Sequence, residues 1–142
     1  PWSSYAPFLR DKAGNVIIDA GFNLNHVIFD TASVGGPGNG VYFGGANAVA
    51  ANGGNPVALY SPTTFEPGSS VSHLDKDVFP VDMMKHDRDF GPQEARDYSA
   101  VEIGILTDIG YTRTVANTVP EPASLALVLA GVGGLLARRR KA

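Results

Sequence analysis

The strongest constraint on this fold sits at the end of the chain. From Ala123 to Ala137 fifteen residues carry no charge, and Arg138-Arg139-Arg140-Lys141 follow at once. A helix of that length rises about 22 Å, short of a hydrocarbon core of about 30 Å. The stretch is nevertheless apolar on every face, with no polar stripe to meet water. The terminal cations suit the positive-inside rule, which holds such an end in the cytoplasm and the preceding body outside. Snorkelling flanks or a locally thinned bilayer complete a short span. The pattern therefore predicts a transmembrane helix over 123–137 with a basic cytoplasmic end. It sets a tail at 119–142, a small-residue linker at 115–118 and a body at 1–114.

Pro120 and Pro122 bracket Glu121 just before the span. Each proline fixes φ and disfavours helix in the residue before it, leaving an extended tripeptide at the membrane surface. Extended backbone is what a processing enzyme can bind as an added strand. Pro120-Glu121-Pro122, a short apolar span and a terminal Arg cluster together resemble the PEP-CTERM sorting signal of Gram-negative bacteria. The resemblance implies an exosortase-type processing enzyme and the membrane as partners. It also implies export, first anchored with the body outside, then to the cell surface or exterior. The chain starts at Pro1 without a secretory leader, so the reading expects a C-terminal piece of a longer product.

The body excludes several chemistries. There is no cysteine, which removes disulfides, thiolate metal sites and cysteine nucleophiles. Any metal site depends on His26, His73, His86 and the carboxylates. Residues 1–118 hold 13 acids against 7 bases, a balance that argues against nucleic acid, whose phosphates need a positive face.

Along the body, Asp11-Lys12-Ala13-Gly14-Asn15 reads as a turn. Val16-Ile17-Ile18 and His26-Val27-Ile28-Phe29 read as short strands, as do Val41-Tyr42-Phe43 and Val57–Tyr60. Ala46–Ala51 reads as a short helix ended by Asn52-Gly53-Gly54. The glycines at 35–45 lack the Lys or Ser/Thr that a phosphate-cradling loop uses. Ser99-Ala100-Val101-Glu102 is a capping box opening a helix to Ile109, with Gly110 as its C′ residue. The apolar face of that helix is expected to pack on the strands. The fold class is α+β: a loop-rich body of short strands with one capped helix, followed by the membrane helix.

Gly68 to Phe90 carries the candidate site. It offers His73 after a Gly/Ser loop, the Met83-Met84 pair, and Asp75, Asp77, Asp82, Asp87 and Asp89. The acids read as a solvated face rather than a calcium loop, because EF-hand spacing is absent. A lone histidine is ordinarily a hydrogen-bonded surface residue, and paired methionines fill gaps in a core.

The order GSSVSHLD, methionine pair, SAVEIGILTDIGY resembles the C-terminal part of metzincin zinc peptidases, especially the leishmanolysin-like group. The resemblance implies His73 as third zinc ligand and Met84 as the methionine of the turn beneath the metal. Leu106-Thr107-Asp108-Ile109-Gly110-Tyr111 would be the closing helix. Zinc is thus implied for a longer parent and a protein is its possible substrate. No HExxH occurs in the 142 residues, so this chain alone has no catalytic residues. Lys85-His86 stands where the group has Thr or Ser followed by Pro. The alternative is a non-enzymatic surface or matrix protein with a degenerate peptidase-like domain.

Overall fold

A computed structural model describes residues 4–87 and 97–114. The chain divides into two units, Pro1–Thr112 and Arg113–Ala142. The linker, sorting motif and membrane span expected over 115–142 lie outside the described residues. Among the described residues no helix is long and apolar enough to cross a membrane.

Among the described residues the first unit is a small mixed structure with three α-helices and a three-stranded sheet. A 3-10 turn, Ala6–Phe8, leads into β1 (Leu9–Arg10). Then come α1 (His26–Ala32), β2 (Tyr42–Phe43), α2 (Ala46–Ala51), β3 (Val57–Ala58) and α3 (Ala100–Asp108). The sheet runs β1-β2-β3 and is antiparallel throughout, with Leu9 opposite Phe43 and Tyr42 opposite Ala58. Phe43 is the hub. It is fully buried, with the rings of Tyr5 and Phe8 each 5.1 Å away between centroids. Ile17, Ile18, Val41, Val57, Leu59 and Leu74 complete the core around it.

Two expected strands are not strands. Residues 26–29 open α1, because the Asn25 side chain accepts the Ile28 N–H at 3.3 Å and starts a helix there. The helix turns Val27 outward, 83% exposed, while Ile28 and Phe29 pack against the core. Val16-Ile17-Ile18 is extended but makes only isolated bridges, Val16 to Arg10 and Ile18 to Leu24. Two tight turns flank it, and they are built alike. Asp11 accepts the Asn15 backbone N–H and side-chain amide, and Asp19 does the same for Asn23. Three residues between such turns are too few for a ladder. In both, hydrogen bonds from the asparagine hold the aspartate pKa below its ordinary value.

α2 and α3 form where the sequence places them. The α3 capping box is complete, and Gly110 leaves the helix at φ +101°. The apolar face of α3, through Ile105 with Val101 and Ile109, joins the core cluster that holds the strand residues Leu9, Phe43 and Val57, and α2 also lies directly against the helix. A Cβ on Gly104 would fall 2.6 Å from Ala48 Cα, so the two backbones meet with nothing between them. The described body thus has a second capped helix, α1, beside the expected α3.

Candidate functional site

The segment after Gly68 is laid against the sheet by its backbone. The Val71 N–H donates to Tyr60 O at 2.8 Å, Tyr60 N–H to His73 O at 2.9 Å, and Asp75 N–H to Ala58 O at 3.2 Å. Val71 adopts φ +59°, a conformation that a β-branched residue avoids. Its carbonyl accepts the Tyr5 hydroxyl at 3.3 Å. A strained residue held from both sides stands two positions before His73.

His73 is half-buried, with Nδ1 3.1 Å from Ser69 O and 3.0 Å from Ser72 Oγ. A carbonyl only accepts, so the bond to Ser69 requires the proton on Nδ1. In the neutral ring the lone pair is then on Nε2, which has no hydrogen-bond partner among the described residues.

Met84 comes beside this segment. Leu74 N–H donates to Met84 O at 2.9 Å and His86 N–H to Leu74 O at 3.2 Å, so the two segments pair in parallel about Leu74. The Met84 side chain packs against the core. Its N–H donates to Glu102 Oε1 at 2.6 Å, while Glu102 Oε2 takes the Ser99 N–H at 2.7 Å. Glu102 is fully buried, and it joins the methionine segment to the start of α3. Past Met84, Lys85 donates to Pro80 O, and His86 stacks on Tyr60 with centroids 3.4 Å apart and planes within 9°.

The acids do not form one solvated face. Asp77 and Asp87 are exposed, but Asp75 and Asp82 are 6% and 8% exposed. Asp75 Oδ1 takes the Asp77 N–H at 3.0 Å and holds a turn. Burial first, then the Glu102 charge, push the Asp82 carboxyl above its ordinary value, opposed by a hydrogen bond with Ser99. Asp89 lies outside the described residues. Among the described residues no group of three His, Asp or Glu side chains could hold a metal ion.

The glycine-rich loop at 35–45 does lead into a helix, yet no phosphate site results. Asp108, reaching over from α3, already takes the Asn47 N–H and side-chain amide through Oδ1 and the Ala48 N–H through Oδ2, at 2.8–3.0 Å. Gly45, the residue before α2, has no side chain to cap with, and a Cβ there would strike Asp108 and Phe43. Neither the Glu102–Met84 link nor this cap has a local signal, because the partners are 18 and about 60 residues apart.

Comparison with known proteins bears on the other end of the chain. The family described as the PEP-CTERM protein-sorting motif matches residues 118–141. That match contains Pro120, Glu121, Pro122 and the Arg138, Arg139, Arg140, Lys141 cluster, and it supports an exported chain sorted by an exosortase-type enzyme. No curated protein and no solved structure matches the chain.

Proposed function

We propose that this chain is an exported cell-envelope protein whose body is the C-terminal part of a zinc-dependent peptidase domain, with His73 as one zinc ligand. The sorting half of the reading rests on the motif at 118–141. The zinc half rests on one observation: the bond from His73 Nδ1–H to Ser69 O leaves Nε2 with its lone pair free. Metal-binding histidines are commonly oriented in this way, by a carbonyl on the other ring nitrogen. The residues present fit one corner of such a site, with Met84 on the adjoining segment as its apolar support. Two further histidines and a general base would have to come from sequence beyond these 142 residues. Zinc, when bound, supplies a Lewis acid that lowers the pKa of a bound water toward neutrality.

The test uses the complete gene product. His73→Ala should lower its zinc content, read by metal analysis, while the circular dichroism of the fold is kept. Unchanged stoichiometry would remove the ligand assignment. A second reading, a surface or matrix protein without enzymatic activity, is favoured by the stacking of His86 on Tyr60, because that histidine stands where the peptidases have proline. Binding of extracellular polysaccharide by a complete product that takes up no zinc would decide for it.

A further inference from the structure

Just past β3 lies a cavity of about 280 Å³, lined by neither His73 nor Met84. Tyr60 and its stacked partner His86 form part of its wall, and Asp75, Lys76 and Asp77 contribute the charged groups. Asp75 is buried, with 6% of its surface exposed. One of its carboxylate oxygens, Oδ1, takes the Asp77 N–H. The other has no hydrogen-bond partner among the described residues. No side-chain oxygen there is both sealed from solvent and unpartnered, so this second oxygen is open to the cavity that Asp75 lines. A largely desolvated carboxylate oxygen is costly unless something donates to it.

The surroundings say what that donor should be. The phenol of Tyr60 is pushed above its ordinary value by desolvation first, then by a hydrogen bond with Glu66 and the charges of Glu66, Asp75 and Asp87. Tyr42 is raised too, by desolvation and then by the Asp75 charge. The wall of the cavity itself carries two carboxylates, Asp75 and Asp77, against the single ammonium of Lys76. Ser61, also on the wall, is engaged, since its hydroxyl accepts the Val41 N–H and donates to Leu59 O. An anion finds little to hold it here. A cation finds an open carboxylate oxygen and aromatic rings, the two features that hold ammonium and guanidinium groups. We infer that this cavity binds an organic cation, the ammonium or guanidinium end of a basic peptide side chain. The inference uses none of the residues assigned to zinc and stands or falls without that assignment.

The test is a titration of the complete chain in detergent micelles with acetyl-Gly-Lys-Gly-amide, monitored by amide chemical shifts. Saturable shifts at Tyr60, Asp77 and His86 are expected, and the norleucine analogue, which has no charge, should leave them in place. Asp75→Asn should weaken binding by at least about tenfold, the scale of a lost charge-assisted bond. If Asp75→Asn does not fold, the lysine–norleucine comparison on the native chain decides alone. No saturable shift, equal binding of the norleucine peptide, or native affinity in folded Asp75→Asn would overturn the proposal. Methylamine binding as tightly as the peptide would uphold the cation site and assign it to free amines.

Discussion

Gly104 shows how much can depend on one missing methyl group. The nearest atoms to a Cβ there are Ala48 Cα at 2.6 Å and Ala48 N at 2.7 Å, and backbone cannot swing aside as the tip of a side chain can. Alanine is the better helix former by about 1 kcal/mol, so propensity alone would make Gly104→Ala stabilising. The contact decides otherwise. Forcing the helices apart should cost about 1–3 kcal/mol, read as a lower midpoint in urea. A midpoint unchanged or raised would mean that α2 and α3 are not in backbone contact. The same close approach lets Asp108 reach the α2 amides, so separating the helices should also loosen that cap. Phe22 offers a contrasting case. It occupies the position in its turn that Gly14 occupies in the other, at φ +61° against +85°. The likeness of Asp11–Asn15 and Asp19–Asn23 is visible in the sequence once both are written as Asp-x-x-x-Asn.

At the level of elements, the methionine segment and the head of α3 are one assembly of Asp82, Ser99, Glu102 and Met84. Its pH dependence follows from Asp82. The folded carboxyl keeps its proton to a higher pH than the unfolded one, whose ordinary pKa is 3.8. Below that value both states are protonated and the favourable contribution is fully present. As pH rises from there through the raised folded value, the unfolded chain ionises first and stability is lost. Asp82→Asn removes this loss. Its urea midpoint should therefore gain on the native chain as pH rises past 3.8, and a gap that closes with rising pH would show that Ser99 governs the carboxyl instead. The elements also show what is legible without a structure. The capping box is legible because Ser99 and Glu102 are three residues apart, and α2 because Asn52-Gly53-Gly54 stops it. The helix at His26–Ala32 reads as a strand because Asn25, its cap, precedes a β-branched run. The second bond of Glu102 and the cap from Asp108 join distant segments, so no window of sequence contains them.

At the scale of the whole molecule, the chain joins an acidic body to a tail with the opposite charge. Residues 1–118 are net negative, and the last 24 residues hold four cations against Glu121. If the apolar stretch is held in the bilayer, the cations stay on the cytoplasmic side and the body is carried across. The motif at 118–141 then lies where an exosortase-type enzyme can reach it. Under that reading, cutting near Pro120-Glu121-Pro122 would separate the body from the apolar stretch. The described core and helix caps of the body lie among residues 5–109. The expected outcome is a mature protein whose mass lacks Arg138–Ala142, recovered from the surface or medium. Replacing Pro120, Glu121 and Pro122 together by alanine should keep the chain in the membrane fraction at full mass, since the tripeptide is then free to join a helix. Intact mass spectrometry of both fractions checks each point. A native chain that keeps Arg138–Ala142 would be a permanent anchor, with the body tethered at the outer face and any ligand of the Asp75 cavity captured there rather than at a distance.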